Sequence, residues 1–111
     1  MLDLKHARNS IQSVIGEYAQ RRSNQHDVEV QSIFDTEHDH YQLLYMGWEG
    51  YKRIFYPIIH IDIQGDKIWI QHNITEELVA DDLMNLGIDR HDIVLGLHHP
   101  SMRPYTDFAA V

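Results

Sequence analysis

The chain has 111 residues, room for one domain around one core, and its 43% apolar share argues against disorder along its length. Seventeen acidic residues oppose nine basic ones, a net charge of −8 with histidines neutral, so long-range attraction to a polyphosphate is excluded. With no cysteine, disulfides, thiol nucleophiles and thiolate metal sites are excluded as well.

Leu4, Ala7, Ile11, Val14, Ile15 and Tyr18 recur at helical spacing, which predicts a helix from Leu4 to about Gln20. Asp3 near its start and Arg21-Arg22 near its end suit the helix dipole. From Val28 the period changes to two: Val28, Val30 and Phe34 alternate with polar residues, as in a strand. Glu37-His38-Asp39 reads as a turn, and Tyr41 to Met46 as a second strand that Gly47-Trp48-Glu49-Gly50 should break.

Arg53 to Gln64 and Lys67 to Asn73 are predicted strands joined at Gly65-Asp66, a two-residue hairpin turn. That turn pairs Gln64 with Lys67, Asp62 with Trp69 and His60 with Gln71. Ile59, Ile61, Ile63, Ile68, Ile70 and His72 then share the core face, while His60, Asp62, Trp69 and Gln71 share the other. A second helix is expected from Thr75, with Leu78, Val79, Leu83 and Leu86 buried and Gly87 ending it. Ile93 to Leu97 reads as a short buried strand, and the tail carries Tyr105, Phe108 and Val111 for packing. The expected fold is α+β: a helix, an antiparallel four-stranded meander, a second helix, a short strand and a tail.

The candidate chemistry is sparse. Nine histidines are present, but His38-Asp39-His40, His60 with Asp62, and His98-His99 lack recognisable zinc spacing, so no metal or cofactor is assigned. No nucleophile, base and stabiliser assemble into a catalytic set, so no catalytic residue is assigned either. His60, Asp62, Trp69 and Gln71 resemble an aromatic anchor with a hydrogen-bonding rim. The competing reading is that the first helix or the tail covers them. Trp48, in its glycine-flanked turn, is either an exposed anchor or a core plug. Arg21, Arg22, Lys52 and Arg53 are the candidate nucleic-acid contacts. Neither a signal peptide nor a membrane-spanning run is seen, so a cytoplasmic location is expected, with no membrane partner. Sheet edges and few lysines invite a homo-oligomer.

Several blocks occur together in order: Tyr41-Gln42-Leu43-Leu44 with Gly47-Trp48, His60-Ile61-Asp62-Ile63, and Lys67-Ile68-Trp69-Ile70-Gln71. Thr75-Glu76, Val79-Ala80, Leu83, Gly87 and Asp92-Ile93-Val94-Leu95-Gly96 follow, then Pro100, Arg103, Thr106 and Phe108-Ala109. Over nearly its whole length the chain resembles the XisI family, the fdxN-element excision controlling factors of cyanobacteria. It departs from the family pattern at Leu97, where phenylalanine is usual, and at Asp89-Arg90, where proline and lysine stand. The resemblance implies a non-enzymatic accessory role in programmed DNA rearrangement during heterocyst differentiation. It further implies an XisH-like protein as partner and an indirect association with a site-specific recombinase. Two alternatives stand beside it: a direct DNA-binding component of the recombination complex, and a metal-dependent enzyme using the histidine and aspartate residues.

Overall fold

The computed structural model describes residues 1–22 and 27–111. Its first element is helix α1 (Leu4–Arg21), capped by Asp3, whose carboxylate accepts from the His6 backbone N–H. Ala7, Ile11, Val14, Ile15 and Tyr18 are buried, as their spacing required, but Leu4, expected on the same stripe, is 38% exposed in the first turn, before the helix passes over the sheet. Strands β1 (Val28–Asp35), β2 (His40–Glu49), β3 (Lys52–Gln64) and β4 (Lys67–Asn73) follow as an antiparallel meander. Helix α2 (Val79–Asn85) then crosses back to β5 (Ile93–Val94), which pairs parallel to β4. The sheet order is β1-β2-β3-β4-β5, so the sheet is mixed rather than purely antiparallel. A helical crossover between neighbouring strands delivers the second strand parallel to the first.

The core lies between α1, α2 and one face of the sheet. Tyr41, Leu43, Ile59, Ile61, Ile68 and Leu83 are fully buried there. Two polar clamps fix the helices over this face. Arg8 grips Asp39 in the β1–β2 turn with two hydrogen bonds, of 2.8 and 3.1 Å, and Tyr41 donates to the same carboxylate at 2.8 Å. Those hydrogen bonds from Arg8 hold the Asp39 carboxyl below the usual range. Burial, with the neighbouring Asp39, pushes the Tyr41 phenol up to about 12. At the other end of α1, Tyr18 donates to Asp82 of α2, and Arg21 and Arg22 both pair with Glu77.

The structure corrects several local expectations. The second strand does not break at Gly47 but runs on to Glu49, and the chain turns at Gly50-Tyr51. Gly47 is needed for space, because a Cβ there would lie 2.0 Å from the Asp27 carbonyl oxygen. The Gly65 turn and the Asp62–Trp69 pair form as expected, but an extra residue in β4, Gln71, shifts the ladder between Ile61 and His60, so His60 pairs with His72 instead of Gln71. That shift moves His72 off the isoleucine face.

Thr75 does not start the second helix. It donates to Asn73 and accepts from Glu77 in a separate turn, and α2 begins only at Val79. Val79 and Leu83 are buried, whereas Leu78 and Leu86 are exposed. Gly87 does end the helix, at φ 97°, with Ile88 N–H returning to the Leu83 carbonyl and Gly87 N–H to Met84. The last strand stops at Val94 rather than Leu97. Of the tail's apolar residues, Phe108 packs against the core while Tyr105 and Val111 are exposed.

Candidate functional site

Away from α1, the sheet presents a second face. Strand alternation places His40, Gln42, Met46 and Trp48 of β2 on it, opposite Asp62, His60, Phe55 and Arg53 of β3. Trp69 joins from β4 as the partner of Asp62. At the centre, His40 Nδ1 and His60 Nε2 each lie 2.7 Å from the same oxygen, Oδ1 of Asp62. Gln42 Nε2 lies 3.0 Å from His60 Nδ1, and Gln71 Nε2 donates to Asp62 Oδ2 at 3.4 Å. The carboxylate is buried, with two imidazoles and the Gln71 amide around it.

The electrostatics follow from this geometry. Burial pushes the Asp62 carboxyl up, but hydrogen bonds from His40 and His60 outweigh it and hold the carboxyl below its ordinary value. The hydrogen bond to Asp62 raises the His40 imidazole. A buried carboxylate is costly unless its oxygens are satisfied, and here each oxygen has a partner.

Trp69 is half-covered, and the tail supplies the cover. Arg103 lies over its ring, with Cζ 5.1 Å from the ring centre. The same guanidinium donates to the carbonyls of His98, Val111 and Gly96 at 3.1, 3.0 and 3.3 Å. A Cβ at Gly96 would meet Gln71 Oε1 at 2.4 Å and Trp69 Cε3 at 3.0 Å, so any larger residue would have to push these side chains aside. Ala109 completes the attachment with a bridge to Val94. Of the two readings of Trp69, the covering tail accounts for part of the ring's burial, and the ring is not fully enclosed.

The anchor residues expected from the sequence therefore divide. His60, Asp62, Trp69 and Gln71 gather in one place. Trp48 lies at the far end of β2, 50% exposed, with Arg53 stacked on it at 5.1 Å. Ile33 and Phe55 on the same face are also exposed, at 47% and 61%. Of the candidate nucleic-acid contacts, Arg21 and Arg22 line one cavity with Trp48, on which Arg53 stacks, and acidic Asp27 and Glu49 line the same cavity. Arg21 and Arg22 are held by Glu77, Arg53 lies against Trp48, and Lys52 is an exposed residue at the β2–β3 turn.

His40 is the member of the cluster that the sequence did not assign to it. A bulge at Ile58 is responsible: the β2–β3 ladder shifts there, so Leu44 faces Pro57 while Leu43 faces Ile59. Without the extra residue His40 would face Ile61, and the pairing with Asp62 would not exist. Counting back from the turn could not reveal this, because nothing in the local pattern marks Ile58 as a bulge.

No curated protein matches the chain. Among solved structures, an XisI-like protein from Anabaena variabilis ATCC 29413 is 41% identical. It covers 98% of this chain and 100% of its own, with a TM-score of 0.93. The fdxN element excision controlling factor XisI from the same organism is 38% identical over 97% of this chain and 98% of its own, with a TM-score of 0.87. The family model for the XisI protein matches residues 1–110. With the family model over residues 1–110 and two near-full-length structural matches at 41% and 38% identity, the chain belongs to the XisI family.

Proposed function

We propose that this chain is a non-enzymatic accessory factor for excision of an fdxN-type DNA element, acting by contact with an XisH-like protein. The supporting observation is the sheet face away from α1, which carries a hydrogen-bonded His40, His60 and Asp62 cluster and, elsewhere on the same face, exposed Ile33, Trp48 and Phe55. Aromatic anchors beside a satisfied polar group are the composition of a protein-binding surface. No part of this arrangement supplies a nucleophile beside a base, which favours binding over turnover. Direct gripping of DNA is the weaker reading, because the net charge is −8 and Arg21 and Arg22 are both tied to Glu77.

Co-expression with an XisH-like protein, followed by affinity capture of one partner, tests this reading. Wild-type chain should co-purify, and Phe55→Ala, Trp48→Ala and His60→Ala should each weaken the complex while leaving the circular dichroism spectrum unchanged. Undiminished capture in all three folded variants would remove this face from consideration. A mobility-shift titration against element-end DNA at two salt concentrations addresses the other reading. Tight, salt-sensitive binding by the isolated chain would replace protein contact with phosphate contact.

A further inference from the structure

His40, His60 and Asp62 meet one another better than a set of stray surface groups would. Among the described residues they are the one group of three histidine, aspartate or glutamate side chains whose ligand atoms all lie close together, within 4.8 Å. They come from two adjacent strands in the middle of a sheet, so the backbone positions are rigid. Two sit at alternate positions of β3 and the third is the cross-strand partner of Asp62.

We infer that these three side chains bind one divalent transition-metal ion of the zinc class. The ligand set decides the class. Two imidazole nitrogens and one carboxylate oxygen suit zinc, cobalt or nickel, whereas calcium and magnesium take oxygen ligands. A tetrahedral ion with bonds of about 2.0–2.1 Å needs ligand atoms about 3.4 Å apart. The two nitrogens now stand 2.7 Å from Asp62 Oδ1, so opening the cluster takes less than about an ångström at each nitrogen. The His40 side chain is 55% exposed and has the freedom to turn by that amount.

The surroundings also match what a metal ligand requires. A ligating histidine ordinarily gives its other ring N–H to an acceptor that fixes the ring. Gln42 stands 3.0 Å from His60 Nδ1, and rotating its amide by half a turn presents the carbonyl oxygen to that nitrogen. This leaves Nε2 aimed at the site. Gln71 holds Asp62 Oδ2 and so leaves Oδ1 toward the histidines. Three protein ligands leave a further coordination position, and it faces away from the sheet, open to water or to a donor atom from a second molecule.

The test uses the whole chain, stripped with a chelator and titrated with Co²⁺ while visible absorption is recorded, with Zn²⁺ calorimetry alongside. The expected result is one ion per chain and absorption bands of a low-symmetry nitrogen–oxygen site. His40→Ala, at an exposed position, should keep the fold and lose the bands, and His60→Gln should do the same. Gln42→Leu should weaken binding by roughly 10- to 100-fold. His91→Ala, in an exposed pair with Asp89 elsewhere on the chain, should bind like wild type. Three outcomes overturn the inference: no binding at millimolar Co²⁺, binding unchanged in both ligand variants, or binding that His91→Ala abolishes. None of them bears on whether the chain captures an XisH-like protein.

Discussion

The two faces of the sheet are made by the same four long strands, yet they do opposite things. On one face Tyr41, Leu43, Ile59, Ile61 and Ile68 are sealed under α1 and α2, with exposure at or near zero. On the other, Trp48 and Phe55 are at least half exposed, and a buried carboxylate is satisfied only by neighbouring side chains. Alternation along a strand makes this division inevitable, since successive side chains point to opposite sides. The covered face accounts for the stability of the chain. The open face carries groups whose placement the core does not need, which is why its residues are the ones to change when function is in question.

Four changes break or sharpen this comparison. Ile61→Ala should be the most damaging, at about 2–5 kcal/mol in urea unfolding, because it leaves a cavity under the helices. Arg103→Ala should cost about 1–3 kcal/mol, since it removes three charge-assisted hydrogen bonds that hold the tail on Trp69. In a Trp48→Phe background its fluorescence should also shift to the red as the Trp69 ring becomes wetted.

Arg8→Gln tests the clamp between α1 and the β1–β2 turn. The Asp39 carboxyl is lowered in the folded chain, so its contribution is complete above its unfolded value of about 3.9 and disappears as pH falls through the folded value. Wild type should therefore lose stability faster than Arg8→Gln on acidification below about pH 4, and the two should converge. Phe55→Ser should do least to stability, within about 0.5 kcal/mol, while weakening capture of an XisH-like partner. A core-sized loss from Phe55→Ser would mean that the two faces are not separable in the way described.

Much of the covered face was legible in the residues. The α1 stripe from Ala7 to Tyr18, the isoleucines of β3 and β4, and the Gly65 hairpin all occur where periodicity and turn chemistry place them. The helix terminator at Gly87 is equally local, because a left-handed residue followed by a buried isoleucine needs no distant partner. The expectation for Thr75 fails for a different reason. Its hydroxyl does accept the Glu77 backbone N–H, as a cap would, but Asn73 captures the turn, and Glu77 is tied to Arg21 and Arg22. Local capping propensity was outweighed by contacts with residues more than fifty positions away.

The sequence by itself determined helix α1, the four long strands, the isoleucine side of β3 and β4, and that the chain is acidic with no thiol chemistry. These are properties of neighbouring residues and of a count. Only the tertiary structure decided that His40 meets His60 and Asp62, that β5 joins in parallel, and that Arg103 folds the tail over Trp69. The reason is register: single extra residues at Ile58 and Gln71 reassign cross-strand partners, and their cost or benefit depends on packing across the whole sheet.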